Sequence, residues 1–246
     1  MVAEMKAHAY EALGNWFELL NDDCDYAAWE AFLLRLLAPY SFREGIDVGC
    51  GNGYFTRAFE KNGYQMTGYD ISLPMLNRAK ELSAKERLKS EYVLCDLLSL
   101  KVKRRVDFAL AINDCINYIP ASKVKTAFKR VAGALKKGGV FLFDVSSPYK
   151  LIEKVPGVSF DDREEITYLS SNTWKGDRVE MEITLFLRKE DNSYARADET
   201  QVQYIHEEEF LLSALDEAGF TSLSVTGHLG EPKEGADRLV FLAQRR

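Results

Sequence analysis

The chain of 246 residues has few of the residues that bind metals or cross-link small folds, with four cysteines and three histidines. No two cysteines form a C-x-x-C pair, and none stands beside a histidine at the spacing of a zinc ligand set. We therefore expect no metal site. We expect free thiols in a reducing compartment, at Cys24, Cys50, Cys95 and Cys115. A chain of this length buries enough apolar surface to fold without cross-links.

Long hydrophobic runs and an excess of positive charge are also absent. No uninterrupted apolar run approaches the ~20 residues that span a bilayer. Residues 1–16 carry Glu4, Lys6 and Glu11 in place of the apolar core of a signal peptide. The formal net charge of -6 argues against the basic footprint of a nucleic-acid binding protein. The composition predicts a cytoplasmic protein with no membrane partner, and it disfavours RNA or DNA as the main partner.

Most of the chain alternates apolar segments of strand length with amphipathic segments of helix length. Strands that are apolar on both sides and separated by helices indicate a parallel sheet covered on both faces. The helices predicted between strands are Tyr54–Lys61, Leu73–Lys85, Ser122–Leu135 and Glu207–Ala218. The seven predicted strands are Gly45–Val48, Gln65–Tyr69, Tyr92–Leu94, Val106–Ile112, Val140–Val145, Leu223–Val225 and Arg238–Ala243.

Two further segments stand apart from this pattern. Residues 1–40 show helical spacing of apolar and aromatic side chains, which predicts an N-terminal helical cap. Residues 157–205 contain strands that alternate apolar and polar residues, which predicts an antiparallel three-stranded β-meander. Its strands are Glu165–Trp174, Arg178–Arg188 and Tyr194–Ile205. Because the helix–strand pattern returns afterwards, we interpret 1–246 as one domain, with the meander as either an acceptor cap or a homodimer contact.

A glycine-rich segment, Asp47-Val48-Gly49-Cys50-Gly51-Asn52-Gly53, follows the first predicted strand. A loop there lies at the carboxyl end of a parallel strand, where ligands of such sheets bind. Glycine permits positive φ and lets a ligand approach the main chain closely. The spacing G-x-G-x-G differs from the G-x-G-x-x-G of dinucleotide sites, and no P-loop pattern is present. The loop predicts a site for a nucleoside without a pyrophosphate, and a glycine-rich turn without a ligand is the alternative.

Polar residues follow the next three strands in the same way. Asp70 ends the second strand about twenty residues after the glycines, where an acid can accept both ribose hydroxyls; a helix-capping acid is the alternative. In Cys95-Asp96-Leu97 the acid can accept from the exocyclic amine of adenine, or it is a loop residue. The cluster from Asn113 to Tyr118 follows the fourth strand, which is strongly apolar. These positions meet at one edge of the predicted sheet.

In this order the motifs resemble those of the class I S-adenosylmethionine-dependent methyltransferases, over essentially the whole chain. Residues 46–53 match the first motif of that family, Asp70 its ribose acid, and Cys95-Asp96-Leu97 its adenine loop. Lys136–Phe141 resembles its loop before strand five, and Glu217–Phe220 its turn before strand six.

A bacterial small-molecule-type subgroup, with a β-insertion after strand five, is the more specific resemblance. The matching features are Asn117-Tyr118, Phe143-Asp144-Val145 and the aromatic residues Tyr10, Phe17, Tyr26 and Trp29. The chain departs from the subgroup at Phe17-Glu18, which replace a Tyr-Asp pair, so no hydroxyl role is expected at position 17.

The resemblance implies a Rossmann-like, doubly wound, mostly parallel seven-stranded sheet and S-adenosyl-L-methionine as the cofactor. Methyl transfer from a sulfonium is an in-line displacement that depends on alignment and exclusion of water. The residues expected to act on the acceptor are Asp114, Asn117 and Tyr118. Those expected to bind the cofactor are Tyr10, Trp16, Tyr26, Asp47, Gly49, Cys50, Gly51, Gly53, Asp70, Ile71, Cys95, Asp96, Leu97 and Asn113.

The acceptor is predicted from the architecture and not from a motif. A small-molecule acceptor is expected, because the predicted cap and meander would close the sheet's carboxyl edge. The alternatives are a tRNA or another macromolecule as acceptor, a non-catalytic module that only binds the cofactor, and a nicotinamide-dependent dehydrogenase.

Overall fold

Two β-sheets flanked by helices make up the chain in a computed structural model, which describes residues 10, 13–22 and 24–246. The rest of the predicted N-terminal cap lies outside the described residues. The helices are α1 Phe17–Leu20, α2 Tyr26–Leu37, α3 Tyr54–Lys61, α4 Leu73–Lys85, α5 Ala121–Ala134 and α6 Glu208–Glu217. The strands are β1 Glu44–Val48, β2 Gln65–Asp70, β3 Glu91–Leu94, β4 Val106–Ala111, β5 Leu135–Ser146, β6 Gly157–Asp162, β7 Ile166–Trp174, β8 Arg178–Arg188, β9 Tyr194–Tyr204, β10 Phe220–Thr226 and β11 Arg238–Arg245.

The larger sheet has seven strands in the order β10-β11-β5-β4-β1-β2-β3. Strands β1 to β5 pair in parallel, and β11 runs antiparallel to both of its neighbours. The predicted Rossmann-like, mostly parallel seven-stranded sheet is confirmed. Its strand order reverses between β1 and β4, and the crevice at such a switch point is where ligands of open α/β sheets bind.

Helices cover both faces of this sheet, as the apolar strands require. On one face, Phe128 of α5 packs against Phe141 and Phe143 of β5, and all three are fully buried. On the other face, Trp29 of α2 and Phe59 of α3 belong to a second buried cluster. Alternate residues of each strand therefore pack into two different cores, which fixes the register of the sheet.

The predicted boundaries differ most at β5. The sequence pattern places its start at Val140, whereas the strand begins at Leu135, directly after α5. Its first part pairs Leu135 with Val106, and a register shift follows before Phe108 pairs with Val140. A β-bulge of this kind leaves no apolar periodicity, so the sequence gives no sign of it.

The smaller sheet is antiparallel with the order β6-β7-β8-β9, and it lies between β5 and α6 in the chain. The three predicted strands are confirmed. The prediction of only three strands is wrong, because Gly157–Asp162 forms a fourth strand at the edge. Val158 and Phe160 of this strand are exposed, and two acids end it, so it lacks the half-buried alternation that identifies a strand.

Asn117 links the two sheets through its side-chain amide. Its Oδ1 accepts from Ser146 N at 2.9 Å, and its Nδ2 donates to Ser146 O at 3.3 Å and to Tyr204 O at 3.0 Å. The side chain is fully buried. Asn117 therefore joins the short helical turn Cys115–Tyr118 to the ends of β5 and β9.

Within the described residues, no helix combines the length and the apolar character needed to cross a bilayer.

Replacement of Asn117 by Ala leaves buried backbone groups of Ser146 and Tyr204 without partners. We expect a loss of about 2–4 kcal/mol in the free energy of unfolding, measured by urea denaturation. Asn62→Ala is the matched control, since the exposed Asn62 amide binds Glu30 and Ala58 at the surface. The control should lose less than about 1 kcal/mol, and equal losses in the two variants would contradict the assigned linking role.

Candidate active site

The glycine loop after β1 adopts a conformation that only glycine satisfies at two of its positions. Gly49 has φ 68° and Gly53 has φ 77°. A Cβ at Gly49 would lie 2.4 Å from Cys115 Sγ, and a Cβ at Gly53 would lie 2.6 Å from the Tyr92 hydroxyl. The backbone of the loop is thus packed against two neighbouring elements, at the carboxyl end of β1 beside the switch point.

The Asp70 side chain accepts one hydrogen bond from the backbone of the glycine loop and one from the backbone that follows β2. Gly51 N donates to Asp70 Oδ2 at 2.8 Å, and Ser72 N donates to Asp70 Oδ1 at 2.8 Å. Burial raises the pKa of Asp70, although these backbone donors oppose the shift. A carboxylate has about four acceptor sites, and the backbone groups that act on Asp70 are those of Gly51, Ser72 and Ile71, so acceptor capacity remains. The sequence-predicted ribose acid therefore lies beside the glycine loop, where it can still accept from a hydroxyl group.

Asp47 is the buried acid of the same loop, with a relative exposure of 2%. Thr56 Oγ1 donates to its Oδ2 at 2.7 Å. Burial, with a contribution from the nearby charge of Asp70, raises the pKa of Asp47 to about 7 in spite of that hydrogen bond. The site therefore contains a carboxyl group that titrates near neutral pH.

The predicted adenine loop lies beside Asp70. Cys95 N donates to Asp70 O at 2.8 Å, and Asp96 Oδ1 accepts from Leu98 N at 2.9 Å. Ile71 is 42% exposed at this edge, whereas the Leu97 side chain belongs to the buried core. Ile71 and Asp96 thus lie where an adenine could contact them. The Leu97 side chain packs in the core, so only the main chain of Leu97 could contact an adenine.

Cys50 lies within the glycine loop and is buried. Burial raises the pKa of its thiol well above the ordinary value. An unionised, buried thiol acts as a small apolar side chain and not as a nucleophile.

The turn after β4 is strained and is held by an ion-pair cluster. Asn113 and Asp114 have φ 64° and 63°, a region that costs non-glycine residues energy. Asn113 N donates to Asp144 Oδ1 at 2.7 Å, and Arg238 binds both Asp144 and Asp114, the latter at 2.7 Å from Oδ1. Burial works against ionisation, but the charge of Arg238 lowers the pKa of Asp114. Asp114 is therefore an ionised, immobilised carboxylate.

A cavity of about 1000 Å³ opens at this turn. Its walls are the turn itself, helices α1 and α2, and the inner face of the smaller sheet. Tyr10 and Tyr118 line it, with their hydroxyl oxygens 2.7 Å apart. Burial raises the pKa of both tyrosines, so both phenols are neutral at physiological pH. Other lining residues are Asn113, Asp114, Tyr26, Met181, Ile183 and Gln201.

Two of the sequence-predicted site residues lie elsewhere. Trp16 packs against the apolar cluster of Leu13 and Ile183, and the Asn117 amide is used between the sheets. The described residues contain no group of three side chains able to hold a metal ion.

Known proteins are similar to this chain in sequence and in fold. A methyltransferase domain model matches residues 46–139. A protein of Geobacillus sp. (strain WCH70) that carries a methyltransferase name is 32% identical over 246 residues, which cover 96% of this chain and 99% of the relative. An S-adenosylmethionine-dependent methyltransferase of Clostridium acetobutylicum ATCC 824 superposes with a TM-score of 0.86 at 27% identity, covering 93% of this chain and 95% of that chain. The chain belongs to the class I S-adenosylmethionine-dependent methyltransferases.

Two further proteins are similar to this methyltransferase over nearly its whole length. YqeM of Bacillus subtilis (strain 168), also named as a methyltransferase, is 27% identical over 244 residues, covering 96% of this chain and 97% of the relative. The sugar N-methyltransferase KedS8 of Streptoalloteichus sp ATCC 53650 shares the fold, with a TM-score of 0.78 at 20% identity over 94% of this chain and 92% of that chain.

The residues of the glycine loop fit the cofactor of this family, S-adenosylmethionine. The main chain at Gly49 and Gly53 leaves no room for a side chain, and Asp70 keeps acceptor capacity for the ribose. Ile71 and Asp96 suit an adenine.

Three residues that hold the site's carboxylates in place are not predicted from the sequence. Thr56 was not singled out, although it is the helical residue that binds Asp47. Asp144 was noted only as part of a strand motif. Arg238 stands 94 residues beyond Asp144, and no local pattern connects them. An acid inside an otherwise apolar strand is the one signal that could have indicated a buried ion pair.

Replacement of Asp70 by Ala should weaken binding of S-adenosylhomocysteine by ~2–4 kcal/mol, because two hydrogen bonds to the ribose are lost. Titration calorimetry measures this. Asp107→Ala is the matched control, since Asp107 also accepts from two backbone donors, Arg43 N at 2.8 Å and Glu44 N at 2.9 Å, but at the opposite edge of the sheet. Its affinity should equal that of the wild type, and equal losses in both variants would contradict the ribose role.

The raised pKa of Asp47 makes stability depend on pH. Its pKa is about 7 in the folded chain and about 4 when unfolded. Between these values the folded state holds a proton that the unfolded state has released, so this contribution to stability is present in acid and is lost as pH rises towards 7. The free energy of unfolding of Asp47→Asn, relative to that of the wild type, should therefore be about 2 kcal/mol higher at about pH 8 than at about pH 5. Urea unfolding at both values measures this, and a difference independent of pH would count against it.

Proposed function

We propose that this methyltransferase transfers the methyl group of S-adenosylmethionine to a small-molecule acceptor bound in the cavity at the end of β4. The observation that carries the proposal is the cavity itself, about 1000 Å³ in volume and walled on several sides. Pockets of this size enclose most of the surface of a small ligand. In this proposal residues 1–40 and 157–205 form the cap of one domain, 1–246.

Methyl transfer requires the protein to align the acceptor with the methyl group more than it requires catalytic side chains. The bound cofactor supplies an electrophilic methyl on a sulfonium. When bound, it would serve in an in-line displacement, in which the acceptor's lone pair takes the methyl carbon and the sulfur keeps the electrons of the broken carbon–sulfur bond. The protein therefore has to hold the acceptor in line, exclude water and maintain the acceptor's lone pair.

Each residue proposed for catalysis has a different part in this. Asp114 faces the cavity as an ionised carboxylate held by Arg238, so it orients the acceptor and attracts positive charge. Its low pKa makes it a weak base. Tyr118 offers a neutral phenol. Asn117 acts through the turn that it anchors, since its amide is already bound.

Two features favour a small acceptor over a macromolecule. The smaller sheet covers the carboxyl edge of the larger one, where an RNA or protein would have to approach. The net charge of -6 also disfavours RNA. Among proteins of the same fold, KedS8 is named as a sugar N-methyltransferase, so this architecture accommodates small acceptors. A cytoplasmic location, and the alternative use of the smaller sheet as a homodimer contact, stay predictions.

A bulky residue in the cavity should separate turnover from cofactor binding. Met181→Trp fills space at the lining of the cavity, so we expect at least a tenfold loss of methyl transfer, roughly 1.4 kcal/mol. Affinity for S-adenosylhomocysteine should stay unchanged. The assay measures S-adenosylhomocysteine released with a bacterial small-molecule extract as the acceptor source, and with the RNA of the same cells in parallel.

Glu182→Trp is the matched control, because Glu182 is the exposed next residue of β8; its turnover should equal the wild type. Turnover with RNA alone would contradict the proposal. Binding of the cofactor without turnover on any fraction would favour a non-catalytic module.

A further inference from the structure

Glu199 of β9 is a buried carboxylate with one oxygen unused. Its relative exposure is 5%. Oε1 accepts from Tyr10 N and from Gln201 Nε2, both at 2.7 Å. Oε2 is buried and has no hydrogen-bond partner among the described residues. Buried polar atoms are nearly always hydrogen-bonded, so an unpartnered carboxylate oxygen points to a missing ligand.

Glu199 lies on the face of the smaller sheet that borders the proposed acceptor cavity. In the pairing of β8 with β9, Ile183 is opposite Glu199 and Met181 is opposite Gln201. Paired residues share one face of a sheet, and Ile183, Met181 and Gln201 all line the cavity, as does Tyr10. Glu199 therefore projects from the same face, between residues that line the cavity.

The hydroxyl groups of Tyr10 and Tyr118 determine which group donates in each of the surrounding hydrogen bonds. Tyr118 OH donates to Gln201 Oε1 at 2.9 Å. Its single proton is thereby used, so the Tyr10 hydroxyl, 2.7 Å away, must donate to Tyr118. Gln201 in turn presents its amide hydrogens to Glu199. Because every link of this chain is engaged, no member can turn to satisfy Glu199 Oε2.

Among the described residues, no lysine, arginine or histidine forms an ion pair with Glu199. The titratable groups beside it are Tyr10, Tyr118 and Tyr168, whose pKa values burial raises first and the charge of Glu199 raises further. Arg238 binds Asp114 and Asp144, and Lys154 binds Asp237. Lys150 acts electrostatically on Asp114. A buried carboxylate without an ion-pair partner and with one oxygen lacking a hydrogen bond is costly, and a ligand cation would relieve that cost.

We propose that Glu199 Oε2 binds a protonated nitrogen group of the acceptor, so that the substrates of this methyltransferase are small organic cations. The inference rests on the proposed function, since it concerns the same cavity. Glu199 selects the acceptor by its charge, while the network of Gln201, Tyr118 and Tyr10 holds the carboxylate in place.

Three probes of matched shape test this preference: cyclohexylammonium, cyclohexanol and cyclohexanecarboxylate. Each is titrated by NMR into the protein saturated with S-adenosylhomocysteine. The wild type should bind the ammonium at least about tenfold more tightly than either of the others, the range of a charge-assisted hydrogen bond. Glu199→Gln should lose that preference and still bind S-adenosylhomocysteine as the wild type does, which shows that the variant folds.

Glu182→Gln is the matched control, an acid on the exposed face of the adjacent strand, and it should keep the preference. Ammonium binding that is unchanged in Glu199→Gln, absent from the wild type, or equalled by cyclohexanol would overturn the inference. Failure of the wild type to bind S-adenosylhomocysteine would instead refute the proposed function, so the two failures are distinguishable.

Discussion

The structure depends on the tie between the glycine loop and the end of β2. Gly49 N and Cys50 N both donate to Tyr69 O, at 2.7 and 3.0 Å, and Asp70 binds the backbone one residue further along the loop. Because Gly49 and Gly53 have no side chains, the loop is held at these positions through its main chain. These hydrogen bonds therefore set both the shape of the glycine loop and the position of Asp70 beside it.

The second half of the site is built around buried charge. Arg238 neutralises the carboxylates of Asp114, which follows β4, and of Asp144 in β5. It thereby stabilises a turn in which Asn113 and Asp114 have positive φ. Glu199 is hydrogen-bonded by Tyr10 N and by the Gln201 amide, and no residue in the described part of the chain forms an ion pair with it. Asp114 and Asp144 are thus paired within the protein, whereas Glu199 is the carboxylate proposed to bind a ligand cation.

Local patterns predicted much of the fold, because parallel strands and their helices leave periodic signals. The glycines and Asp70 could also be placed, since each follows a strand at a fixed spacing. The edge strand Gly157–Asp162 could not, because both of its large apolar residues are exposed. Nor could Arg238 or Glu199, whose partners are distant in sequence and whose importance comes from burial. Asn117 carried the right residue type for a site, but its amide joins two sheets.

A crystal structure with S-adenosylhomocysteine would show whether Asp70 binds the ribose. We expect both ribose hydroxyls within hydrogen-bond distance of the Asp70 carboxylate, and the sulfur facing the cavity beside the turn of Asn113 and Asp114. A ribose bound away from Asp70, or a sulfur facing away from that cavity, would contradict it.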